Sequence, residues 1–225
     1  MDLLDSSPDE RAHAGETRCR PEIHIVDDDA SVRRAMTRLL SVENYSVSAY
    51  ESAESFLDQQ REDGHGCIIL DIALPGLDGV SLQQALADRG FHMPVIFLTG
   101  HADVPTTVSA MKQGAIDLLE KPVDAEVLLS TIARALERDL RQRGIRARRE
   151  MTDRRLSTLT PREREVLTHV MSGRLNKQIA ADLGTAEKTV KVHRARGMEK
   201  MHVRSVAELV RIFERAHPRE MDDLD

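Results

Sequence analysis

Five short apolar runs, each followed by a stretch with helical spacing, constrain this chain more than anything else in its sequence. The runs are EIHIV (22–26), SVSAY (46–50), CIIL (67–70), PVIFLT (94–99) and AIDLL (115–119). Between them, residues 31–43 set Val32, Ala35, Met36, Leu39 and Leu40 at helical intervals, 52–60 hold Ala53, Phe56 and Leu57, and 80–88 hold Val80, Leu82, Ala85 and Leu86. Residues 104–113 and 124–140 continue the pattern. Strands separated by helices pair in parallel, because a parallel connection needs a long crossover that a helix supplies. The expected fold is an α/β, doubly wound, five-stranded parallel sheet. In such sheets the functional crevice lies beyond the carboxyl ends of the strands.

What stands at those ends is unusual. The first run leads into Asp27, Asp28 and Asp29, the third into Asp71, the fourth ends in Thr99, and the fifth is followed by Lys121-Pro122. The third run is too short and too β-branched for a helix and reads as a strand buried on both faces, where a lone carboxylate is costly. Carboxylates from the first and third strands would converge on one crevice. Two unit charges about 5 Å apart repel by roughly 3 kcal/mol at an effective dielectric of 20, so the cluster demands a cation. Oxygen ligands with a partly hydrated shell suit Mg²⁺. The first strand–helix turn has no glycine, which disfavours a phosphate cradle of backbone amides. With the metal bound, Asp71, alone at its strand end, is the best candidate for a nucleophile toward phosphorus. Thr99 would hydrogen-bond a phosphoryl oxygen and Lys121 would offset its charge.

The net charge of −6 conceals a division. Residues 1–139 carry 25 acids against 12 Lys/Arg, a net −13, whereas residues 140–220 carry 10 against 20, a net +10. An acidic part joined to a basic part implies two domains with different partners. No run approaches the ~20 apolar residues of a membrane span. The first 20 residues lack the basic start and apolar run of a secretory signal and have the composition of a disordered tail. Cys19 and Cys67 are far apart and form no Cys-x-x-Cys pair, which opposes a disulfide and fits a reducing cytoplasm. The nine histidines show no zinc-ligand spacing.

The basic part is helical. Residues 138–156, RDLRQRGIRARREMTDRRL, are Arg-rich helix formers weakened at Gly144, and fraying is expected near 150–157. Thr160 and Glu163 form a capping box with Pro161 at the first helical position, Val166, Leu167, Val170 and Met171 form one face, and Gly173 ends the helix. Asn176 is placed to cap a second helix that buries Ile179, Ala180 and Leu183, and Gly184 turns the chain. A third helix sets Val190, Gly197, Met198 and Met201 inward, and Ser205 with Glu208 caps a fourth carrying Leu209, Ile212 and Phe213. Two short helices about a Gly turn, the second rich in Lys and Arg, describe a helix-turn-helix. Its second helix would enter the major groove, with most basic side chains on phosphates and Lys191 and Val192 reaching base edges.

On these residues, 22–140 resemble the receiver domain of two-component response regulators, through VDDDASVRR, ILDIALPGLDG, FLTGHADVP and LLEKPV. The resemblance implies the flavodoxin-like strand order, Asp71 as phosphoacceptor, Asp27 and Asp28 at the Mg²⁺ site with the backbone carbonyl of Ala73, Thr99 and Lys121 as the switch pair, and a cis peptide before Pro122. An aromatic residue usually stands three positions before the lysine. Here it is Leu118, so the aromatic switch is absent or altered. Residues 156–215 resemble the LuxR-type four-helix DNA-binding domain, through LTPREREVL, NKQIA and EKTVKVHR. Carried over, Lys188, Thr189, Lys191, Val192, His193, Arg194 and Arg196 form the recognition helix and its backbone clamps. Ala186 stands at the usual hydroxyl N-cap and Gly197 replaces a large aliphatic residue, and both are expected to loosen this helix. The pair of domains is most similar to the FixJ subgroup of FixJ/NarL-type response regulators.

The expected organisation is a tail (1–20), a receiver (21–140), an Arg-rich helical linker (141–157), a LuxR-type DNA-binding domain (158–217) and an acidic tail (218–225). The expected protein is a cytoplasmic transcription factor and not an enzyme. A sensor histidine kinase would phosphorylate Asp71, the receiver would form a homodimer, and the dimer would bind promoter DNA, with RNA polymerase as a further partner. A phosphotransfer hydrolase is a rival, but such enzymes place a second acid where Ala73 stands. A second rival is a phosphorylation-independent DNA-binding regulator that uses its receiver only to dimerise.

Overall fold

The structure is a computed structural model, and it describes residues 20–59, 64–100 and 104–216. Both expected tails, together with Cys19, fall outside those residues except for Arg20. The chain divides into two compact units, Met1–Leu140 and Arg141–Asp225.

In the first unit, β1 (Glu22–Val26), β2 (Ser46–Tyr50), β3 (Gly66–Asp71), β4 (Val95–Thr99) and β5 (Asp117–Glu120) form one sheet in the order β2-β1-β3-β4-β5, all parallel. The helices are α1 (Ala30–Val42), α2 (Ala53–Gln59), α3 (Gly79–Asp88), α4 (Val104–Lys112) and the start of α5 (Ala125–Ser157). Every residue of β3 is buried, because the strand lies at the sheet's centre with helices on both faces. On one face Val26, Phe56, Leu70, Leu82 and Phe97 pack with α2, α3 and α4, and on the other Ile25, Met36, Leu40, Ile69, Leu98, Leu128 and Ile132 pack with α1 and α5. Burial pushes the Cys67 thiol up to about 12, with the nearby Asp139 adding to the effect, so this cysteine is an inert core residue.

The fifth apolar run begins at residue 115, but β5 begins at Asp117. Gly114, at φ +90°, turns the chain, and Ala115 still closes the end of α4 through its N–H to the Ala110 carbonyl. The ladder starts only after Ile116 donates to Val95.

Helix α5 is unbroken from Ala125 to Ser157, and the division between the units falls within it. The fraying expected near 150–157 does not occur. Within the second unit Thr152 is buried, Leu156 packs against the core cluster that includes Leu167 and Leu209, and Arg155 donates to the Met201 carbonyl at 3.1 Å. Tertiary contacts outweigh the local weakness of Gly144.

The second unit continues with α6 (Pro161–Met171), α7 (Asn176–Asp182), α8 (Glu187–Lys200) and α9 (Val206–Ala216). Both halves of the Thr160–Glu163 capping box form. Asn176 is the first residue of α7 and not its cap. The cap position is Leu175, whose N–H donates to Gln178, while Asn176 Oδ1 accepts from Arg194. Ser205 caps α9 by accepting from the Glu208 N–H, and Glu208 returns to the N–H of Arg204.

Gly197 does not loosen α8 by leaving a gap. A Cβ at this position would lie 2.9 Å from Leu167 Cδ1 and 3.0 Å from its Cγ. The Leu167 side chain occupies the room an aliphatic residue would take. Ala186 provides no side-chain hydrogen bond to α8, as the sequence implies.

Candidate functional site

The sheet brings the expected acids to one edge. Asp27 follows β1, Asp71 ends β3, Thr99 ends β4 and Lys121 follows β5. Register explains the convergence, since Val26 pairs with Leu70, Asp71 with Leu98, and Thr99 with Glu120. Asp27, Asp71 and Thr99 are all buried. Lys121 Nζ lies 2.6 Å from Asp27 Oδ2 and 2.7 Å from Asp71 Oδ2. Burial works against its ammonium, but the hydrogen bonds and charges of the two carboxylates outweigh it and hold the pKa above the ordinary lysine value. The Lys121-Pro122 peptide is cis, and the Lys121 N–H donates to the Thr99 carbonyl at 2.8 Å.

Carboxylate oxygens of Asp27, Asp28 and Asp71 all lie within 4.8 Å of one another, with Asp28 exposed and the other two buried. This hard-oxygen cluster fits a divalent cation. The third acid of the run has a different duty. Asp29 is the N-cap of α1, accepting from the Ser31 N–H at 2.6 Å, and that bond lowers its pKa. The remaining oxygens of the buried pair are also occupied. Asp27 Oδ1 accepts from the Asp29 N–H at 2.8 Å and Asp71 Oδ1 from the Ala73 N–H at 3.1 Å. Arg33, to which no sequence pattern assigns a role, donates to the Asp27 carbonyl at 2.5 Å. Leu118 lies in β5, half-buried against the same cluster as Phe97, Ala110 and Ala115.

In the second unit, α8 exposes Lys188, Thr189, Lys191, Val192 and Arg196, whereas His193 and Arg194 are half-buried. Arg194 donates to Asn176 Oδ1 at 3.1 Å, tying α8 to the start of α7. His193 Nδ1 is buried without a hydrogen-bond partner. Two pairings go beyond the sequence expectations. Lys191 Nζ lies 2.9 Å from Glu187 Oε1, and Lys200 Nζ lies 2.6 Å from the buried Glu163. The first was visible as an i, i+4 spacing. The second joins α6 to α8 across 37 residues, and no local pattern announces it.

Comparison with known proteins agrees over nearly the whole chain. The family model of the response regulator receiver domain matches residues 23–133, and that of bacterial regulatory proteins of the luxR family matches residues 157–213. Nodulation protein W of Bradyrhizobium diazoefficiens is 42% identical over 208 residues, covering 92% of each chain. Transcriptional regulatory protein FixJ of Azorhizobium caulinodans is 42% identical over 190 residues, covering 84% of this chain and 90% of its own. Among solved structures, the response regulator StyR superposes with a TM-score of 0.78 at 42% identity, over 87% of this chain and 98% of its own. Full-length FixJ from B. japonicum gives 0.55 at 36% identity, over 87% and 97%.

Proposed function

Because this chain belongs to the response regulators that join a receiver domain to a LuxR-type DNA-binding domain, we propose that its transcriptional activity is switched by a phosphoryl group on Asp71. The receiver implies a histidine kinase partner, and the second domain implies DNA. We take residues 21–140 as the receiver, 141–157 as the linker and 158–217 as the DNA-binding domain, working in the cytoplasm. Among the described residues no helix is long and apolar enough to cross a membrane.

One observation carries the reading. A lysine bridges two buried carboxylates at the ends of separate strands, with a third carboxylate beside them. Asp27, Asp28, Asp71 and the carbonyl of Ala73 would hold Mg²⁺, which would neutralise charge on the transferring phosphoryl group. Asp71 Oδ2 attacks phosphorus, and the bond from phosphorus to the donor breaks. Lys121 then exchanges Asp71 for a phosphoryl oxygen, and Thr99 donates its hydroxyl to another. Incubation with acetyl phosphate and Mg²⁺ should add one phosphoryl group to Asp71, located by mass spectrometry, and Asp71→Asn should abolish it. Equal labelling of that variant would refute the assignment.

Homodimerisation through residues 104–140 is the proposed output. Val108 and Met111 of α4 and Val127 of α5 are exposed, and they supply the apolar surface such a face needs. The dimer would bring two copies of α8 to promoter DNA, with RNA polymerase as the downstream partner. A dimer that forms and binds DNA equally without phosphate is the second reading, favoured by Leu118, which packs into the core and has no hydroxyl to redirect.

A further inference from the structure

The helix assigned to the major groove opens with an acid. Glu187 is the first residue of α8, and its side chain is ion-paired with Lys191 one turn later. Both side chains are exposed, on the surface that also carries Lys188, Thr189 and Val192. A carboxylate there is repelled by DNA phosphates and weakens binding to any sequence. An acid in the first turn also favours the helix dipole, which helps where Ala186 offers no cap. That alone does not explain why Lys191, one of the two side chains best placed for base edges, is drawn onto it.

Helix-turn-helix readers contact base edges with residues near the start of the recognition helix, where this pair stands. In the major groove cytosine presents its N4 amino group as a donor, which suits a carboxylate. Its partner guanine presents O6 and N7 as acceptors, which suit an ammonium. The edge of one G·C pair thus carries a donor beside acceptors, and Glu187–Lys191 carries an acceptor beside a donor.

We propose that Glu187 and Lys191 act together to read a single G·C base pair, Glu187 accepting from cytosine N4 and Lys191 donating to guanine O6 or N7. Glu187 is then a specificity-determining residue. It holds the lysine for a base edge and makes the same lysine a poor phosphate contact. The proposal rests on the assignment of α8 to DNA.

The test is selection of binding sites by the full-length chain, treated with beryllofluoride and Mg²⁺, from a randomised duplex library. Wild type should enrich a motif containing a fixed G·C pair. Glu187→Ala and Lys191→Ala should each flatten the preference at that one position by about tenfold and leave the other positions intact. Glu187→Gln should move the position toward A·T, because an amide pairs with adenine N6 and N7. A residue that merely stabilised the helix would produce no such exchange. On one non-specific duplex, Glu187→Ala should bind more tightly at low salt, with a salt slope steeper by about one phosphate contact. An unchanged motif for Glu187→Ala, or variants that blur different positions, would overturn the proposal. A wild-type chain that enriches nothing would overturn it too, but through failure of the DNA assignment beneath it.

Discussion

At the scale of single residues, Lys121 stands where a cation is needed. Its removal leaves Asp27 and Asp71 within about 5 Å, a repulsion of roughly 3 kcal/mol at an effective dielectric of 20. Lys121→Met should therefore lower the melting temperature in chelator, and added Mg²⁺ should raise it by more in the variant than in wild type, as read by calorimetry. An equal Mg²⁺ response would show that the lysine is not compensating the acids. Glu163 offers a pH prediction. The Lys200 ammonium, helped by the Thr160 N–H, holds its carboxyl down to about 2 from an ordinary 4.5. Its folded value lies below its unfolded one, so the stabilisation is complete above about 4.5 and is lost as pH falls from there toward about 2. Glu163→Gln should cost about 1–3 kcal/mol at neutral pH and flatten the acid limb of the second unit's stability curve. Half of this was legible in the sequence. Thr160 and Glu163 form a box four residues long, but Lys200 reaches Glu163 only because α8 docks on α6.

At the scale of elements, the strands and helices of the first unit follow from apolar periodicity, and the errors arise where a neighbour supplies what the local sequence lacks. Leu175 occupies a cap position with no polar side chain, since Gln178 satisfies the free N–H and Asn176 is engaged by Arg194. Gly197 looked like a weak point because a sequence does not show which side chain faces a glycine. Leu167 faces it, 2.9 Å from where a Cβ would be. Gly197→Val should overpack this contact and destabilise the second unit by about 1–3 kcal/mol. Leu167→Ala in the same chain should recover part of the loss, although each change alone is harmful. Thermal melts of the two single variants and the double variant form the required cycle, and strict additivity would show that the two positions do not meet.

At the scale of the whole molecule, the acidic and basic parts predict two separable behaviours. Beryllofluoride should shift the wild-type chain from monomer to dimer in sedimentation, and Thr99→Ala should block that shift while Asp71 still accepts phosphate. A near-complete switch needs about 5.5 kcal/mol of preference between states, and with Leu118 in the core that coupling falls on Thr99 and Lys121. DNA binding should weaken steeply with salt in proportion to the phosphates contacted. The order in which the chain is made adds a consequence of the lysine bridge. Lys121 lies 94 residues after Asp27 and 50 after Asp71. During synthesis β1 and β3 emerge long before the lysine does, so any early docking of those strands sets two acids side by side with no internal counter-charge. The nascent sheet should stay unlatched until residue 121 appears, unless dissolved magnesium stands in. Chains stalled before that point should gain markedly in protease resistance as magnesium is raised, and chains stalled well beyond it should gain less.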